Sequence, residues 1–110
     1  MSDIFQIITF YAFKDMAAVG NLNEIKESLK AALREHGVFG TIILADEGFN
    51  ASLCGARQDI PAFIETIERI LDSTIEYKSS LHSESPFRKH EVKIKPEIVT
   101  LKQPVDISMG

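Results

Sequence analysis

The sequence predicts an α+β domain with the element order β-α-β-β-α-β. Three observations carry this reading. Residues 21–37 and 58–72 each hold apolar residues at helical spacing. Between them, residues 40–55 read as two strands joined by a tight turn. Extended stretches stand near the two ends, at residues 4–12 and 90–94.

Residues 4–12 run without a charge, with Phe5, Ile7 and Tyr11 on one face and Ile4, Ile8 and Phe10 on the other. Apolar residues on both faces predict a central strand covered on both sides. Residues 13–20 connect it to a helix that opens at Asn21, whose side chain can cap, with Glu24 three positions on as in a capping box. Leu22, Ile25, Leu29, Ala32 and Leu33 form its apolar stripe; Arg34 and His36 fall in the last turn, and Gly37 suits the left-handed exit. Residues 41–45 are β-branched and aliphatic. Asp46-Glu47-Gly48 then makes a short connection in which Gly48 supplies the positive φ. Phe49, Ala51 and Leu53 alternate with Asn50, Ser52 and Cys54, the period of a half-buried strand. In the second helix Ile60, Phe63, Ile64, Ile67 and Leu71 form the stripe, and Pro61 is tolerated because it lies in the first turn.

After that helix, residues 74–77 read as a short extended piece and the polar, serine-rich residues 78–85 as a loop. Val92 and Ile94 point inward while Glu91, Lys93 and Lys95 point outward, the pattern of an edge strand that Pro96 stops. Ile8, Leu29, Leu44, Phe63, Ile67 and Val92 are the expected core. Right-handed crossovers fold this order into a four-stranded antiparallel sheet, order 4-1-3-2, with both helices on one face. That is a ferredoxin-like, or acylphosphatase-like, sandwich over residues 1–97. Residues 98–110 read as a tail or the start of a linker.

The 110 residues suffice for one domain with a core. A net charge of −4 argues against a generally basic nucleic-acid binder. The charge is uneven, however: residues 1–75 hold six Lys/Arg against eleven Asp/Glu, and residues 76–110 hold six against five. One cysteine excludes an internal disulfide and fits a reducing, cytoplasmic setting. No apolar run approaches the ~20 residues of a membrane span.

Several residue types invite a chemical reading. Cys54 has no base near it in sequence and reads as a small buried hydrophobe. His36, His82 and His90 have no metal-ligand spacing, so no metal site and no catalytic residue is assigned, although His82 and His90 flank a basic segment and could touch an anion. Asp46 and Glu47 read as turn formers. The basic segment is Pro86-Phe-Arg-Lys-His-Glu-Val-Lys-Ile-Lys95, net +3. Arg88, Lys89, Lys93 and Lys95 could form a phosphate-binding strip, joined by Lys78, with Phe87 stacking on a base. Edge strands also carry lysine to prevent sheet-to-sheet pairing, and both readings stand at this point.

Two segments resemble a known family. Gly40-Thr-Ile-Ile-Leu-Ala-Asp-Glu-Gly-Phe-Asn50, with Glu47, Gly48 and Asn50 at its turn, is similar to the hairpin signature of the rhodanese-related tRNA uridine hydroxylases. Pro86-Phe-Arg through Val92-Lys-Ile-Lys-Pro-Glu-Ile-Val-Thr100 resembles the second signature of that family. The glycine that family members carry after the asparagine is Ala51 here. The resemblance implies an N-terminal ferredoxin-like domain that precedes a C-terminal rhodanese domain of the same polypeptide. It implies hydroxylation of a wobble uridine to 5-hydroxyuridine with molecular oxygen as co-substrate, and a catalytic cysteine in the rhodanese loop. Cys54 does not occupy that position, so this chain is expected to be non-catalytic, to hold no cofactor, and to help position tRNA. The alternatives are a stand-alone small-molecule-binding or regulatory domain of the same topology, or an acylphosphatase-like hydrolase. The latter needs an arginine in the loop after the first strand, where Phe13-Lys14-Asp15 stands.

Overall fold

Five strands and two helices account for residues 4–96, which the structure, a computed structural model, describes. In chain order they are β1 (Phe5–Phe13), α1 (Leu22–His36), β2 (Phe39–Ala45), β3 (Gly48–Ala56), α2 (Ile60–Leu71), β4 (Lys78–His82) and β5 (His90–Ile94). A 3-10 turn at Met16–Ala18 interrupts the connection after β1. The sheet runs β4-β1-β3-β2-β5. All pairs are antiparallel except β2–β5, which is parallel. Among the described residues, no helix is long and apolar enough to cross a membrane.

Local chemistry explains the helices. Asn21 Oδ1 accepts from the N–H groups of Asn23 and Glu24 at 2.9 and 3.2 Å, occupying donors that have no partner within the helix. Gly37 ends α1 at φ 64. In α2, Pro61 sits in the first turn, and Asp72 takes the left-handed exit at φ 51. Both helices lay their apolar stripes on one face of the sheet. There Ile8, Phe10, Ile42, Leu44, Phe49, Ala51, Leu53 and Val92 join Leu29, Phe63 and Ile67 in a single core. All six residues expected in the core belong to it.

The ferredoxin-like class and the order 4-1-3-2 hold, with three corrections to the expected detail. First, Lys78–His82 is a strand, paired with β1, and not a loop. Every residue of it is exposed, so no hydrophobic alternation marks it; backbone hydrogen bonds to β1 are what order it. Second, the strand expected beside β1 is β5, and it lies at the far edge along β2. Once β4 occupies the edge next to β1, the remaining free edge is that of β2. The seven residues 83–89 can cross the sheet, a width of roughly 19 Å for four strand spacings. Third, β1 is central but covered on one side only among the described residues: Phe5 and Ile7 are half-buried, and Tyr11 is exposed. The expected tail at residues 98–110 lies outside the described residues.

Candidate functional site

The register places open-face residues in rows across the five strands. One row runs Lys78–Thr9–Ser52–Thr41–Glu91. The next runs Tyr11–Asn50–Ile43–Lys93, and beyond it Phe13 stands opposite Gly48. The three central strands carry no charged residue; the charges stand on β4 and β5.

The basic residues singled out in the sequence fall into two groups. Arg88 and Lys89 lead into β5, Lys93 lies within it and Lys95 just beyond it, and all four are exposed. They share one edge because β5 is locked to β2: the Gly40 N–H donates to the Lys89 carbonyl at 2.6 Å, and the Lys95 N–H to that of Leu44 at 2.8 Å. Lys78 opens β4 at the opposite edge, so it does not extend that strip. Phe87 is half-buried, with Ser85 Oγ donating to its carbonyl at 2.9 Å.

Electrostatics along β5 centre on Glu91. The Thr41 hydroxyl donates to Glu91 Oε1 at 2.9 Å, and Lys93 Nζ stands 3.7 Å from Oε2. The Thr41 hydrogen bond holds the Glu91 carboxyl below the ordinary carboxylate range; desolvation opposes this, and Lys93 and Lys89 add to the lowering. A folded-state value below the unfolded one stabilises the fold above the unfolded pKa, and that contribution is lost as pH falls. Thr41→Val is therefore expected to raise the Glu91 titration midpoint, read from its side-chain carboxyl signal by NMR. An unmoved midpoint would assign the lowering to the lysines instead.

The histidines have structural partners. His90 Nδ1 donates to the Val38 carbonyl at 2.8 Å, since a carbonyl can only accept, and its ring stacks on Phe39 with centroids 4.5 Å apart. His82 Nε2 lies 3.0 Å from Ser80 Oγ at the opposite edge of the sheet. His36, in the last turn of α1, packs edge-on against Phe63 of α2. Cys54 is fully buried in β3, opposite Ile7 and Phe39.

The hairpin turn is laced to the loop after β1. The Glu47 carbonyl accepts from the Lys14 N–H at 2.8 Å, and that of Asp46 from the Met16 N–H at 3.1 Å. Neither Asp46 nor Glu47 takes positive φ; Gly48 does, at 152°. Asn50 emerges from this turn onto the open face, opposite Tyr11.

The sequence reading passed over Tyr11 and Phe13 as site residues. They are 67% and 60% exposed, and their rings meet edge-on with centroids 6.3 Å apart. The signal was present: Thr9, Tyr11 and Phe13 share the phase opposite to Ile8 and Phe10. It was obscured by the expectation that both faces of β1 are covered.

With this geometry in view, residues 5–98 match the family described as the UPF0176 acylphosphatase like domain. The chain belongs to that family. This UPF0176 domain is 36% identical over 101 residues to the tRNA uridine(34) hydroxylase of Prochlorococcus marinus (strain MIT 9303), covering 91% of the chain and 32% of that protein. It is 39% identical over 100 residues to the protein of the same description from Wolbachia pipientis wMel, covering 88% of the chain and 34% of that protein. The chain thus spans about a third of the length of these curated relatives. Among solved structures, it resembles an acylphosphatase from Coxiella burnetii at TM-score 0.51 and 12% identity, over 84% of this chain and 94% of that one. It also resembles the BLUF protein BlrB in its dark state at TM-score 0.60 and 13% identity, over 86% and 74%. At such identities the likeness shows the fold alone.

Proposed function

We propose that this domain is the non-catalytic part of a tRNA uridine hydroxylase, and that its β5 edge positions tRNA for chemistry performed elsewhere in the enzyme. The single observation behind this reading is the identity to tRNA uridine(34) hydroxylases across nearly the whole chain, which accounts for only a third of each relative. In the complete enzyme the product would be 5-hydroxyuridine and molecular oxygen the co-substrate, with a rhodanese domain supplying the reactive cysteine. The residues here support the division of labour. Cys54 is sealed within β3, and Asp46 and Glu47 sit in a turn whose carbonyls anchor the neighbouring loop. Arg88, Lys89, Lys93 and Lys95 form an exposed edge, and Glu91, the acid within β5, is engaged by Thr41 and Lys93.

Phosphate contacts position a nucleic acid and carry little sequence information. Lys93→Glu with Lys95→Glu is therefore expected to weaken tRNA binding by the 110-residue chain similarly for different tRNAs. The salt dependence of log affinity should flatten by about one unit per lost contact. Affinity at two salt concentrations, beside solubility and a folding check, decides the matter. A folded double variant with unchanged affinity and slope removes tRNA from β5. If it aggregates instead while tRNA affinity holds, the lysines serve to protect the edge.

A further inference from the structure

We propose that the open face of the sheet is a stacking platform for a short single-stranded RNA segment, with bases on Tyr11 and Phe13 and phosphates at the lysines of the two rims. This rests on the reading that the domain engages RNA, and it adds a surface that the β5 edge alone does not provide.

Two neighbouring same-face aromatics on a central strand are exposed by 67% and 60%. Aromatic rings left bare beside one another on a sheet mark a binding surface. Gly48, opposite Phe13, raises no side chain against that ring. Beside Tyr11 lies a depression of about 500 Å³ whose lining includes Thr9, Asn50, Ser52, Glu76 and Lys78. Its hydroxyl and amide groups can donate to and accept from base edges.

The charge layout selects the partner. β1, β2 and β3 carry no charged residue, while Lys78 stands on one rim and Lys93 on the other. The rims are separated by roughly 19 Å, the width of four strand spacings. A nucleic-acid strand crossing that span places bases over the uncharged centre and phosphates at its edges. The strand must be single, because bases paired in a duplex offer no free face to stack. Each base–aromatic stack removed by alanine weakens binding by roughly 5- to 150-fold.

The test titrates the 110-residue chain with a labelled, uridine-containing single-stranded oligoribonucleotide, an RNA duplex of equal length, and tRNA. Tyr11→Ala and Phe13→Ala are each expected to lower affinity for the single strand by that factor without flattening its salt dependence. Tyr11→Phe should retain most of the affinity, because the ring remains. Lys78→Glu should flatten the salt dependence instead. The aromatic variants should still melt as cooperatively folded proteins, because both side chains are largely exposed. The platform is overturned if the wild-type chain does not bind the single strand. It is also overturned if both alanine variants bind the single strand as wild type does, or if they lose duplex and single strand equally. The same holds if aromatic removal abolishes self-association in sedimentation and leaves RNA binding alone, which would make the face a protein contact. In any of these cases, tRNA binding that still responds to Lys93→Glu and Lys95→Glu leaves the β5 reading standing. Loss of that response as well would remove both.

Discussion

Gly48→Ala is expected to destabilise the domain by about 3–5 kcal/mol in chemical denaturation. Gly48 sits at φ 152, in a region that side-chain-bearing residues rarely adopt. A Cβ built there would collide with the carbonyl oxygen of Ala12 and lie 3.0 Å from both the Ala12 carbonyl carbon and Phe13 Cα. All three obstacles are backbone atoms of the paired strand, so no side-chain rotation can relieve them. Relief requires β1 and β3 to part at the centre of the sheet, next to the Lys14–Glu47 and Met16–Asp46 bonds that tie the following loop to the turn. Gly37 provides the contrast: at φ 64 it has nothing within 4 Å of its would-be Cβ. Gly37→Ala is thus expected to cost only the left-handed penalty of about 1–2 kcal/mol. Equal losses in the two variants would show that the strands yield at the turn and that close approach is not what requires glycine at residue 48.

Leu29→Ala is expected to cost about 2–5 kcal/mol, from lost burial plus the cavity left behind. Leu29 is wholly buried midway along α1 and belongs to the cluster that contains Phe63 and Ile67 of α2 and Ile42, Leu44 and Val92 of the sheet. Because the site is walled by two helices and the sheet together, the surroundings can collapse into the gap only in part. Ser28→Ala, on the exposed side of the same helix, is the control and should stay within about 0.5 kcal/mol of wild type. A Leu29→Ala loss below about 1 kcal/mol would mean that the core relaxes around α1 far more freely than its packing shows.

The part of the candidate site legible in the sequence is the part carried by charge and by motif. Arg88, Lys89, Lys93 and Lys95 cluster in the chain and stay clustered in space, because one short strand and its lead-in carry all four. Lys78 is different. It looked like a flanking member of the same strip, and the fold carries it to the other side of the sheet, since adjacency in sequence says nothing about which edge a strand takes. Tyr11 reads as one side of a strand covered on both faces and Phe13 as part of the connection after it; their exposure follows from where the helices lie.

By itself the sequence determined both helices, the three central strands, the Asn21 cap, the turn at Gly48 and the six core residues it named. Each of these is set by interactions within a few residues or by a repeating apolar phase. Only the tertiary structure decided that Lys78–His82 is a strand, that His90–Ile94 runs parallel to β2 at the far edge, and that among the described residues one sheet face stays open between two lysine rims. Neither β4 nor β5 carries a local signal for the edge it takes, and β4 carries none for being a strand at all. An edge strand such as β4 buries no side chain and is ordered by backbone hydrogen bonds to a neighbour, so its own residues carry no periodic signal. Which face remains uncovered, likewise, is settled by where the two helices pack and not by the strands that present it.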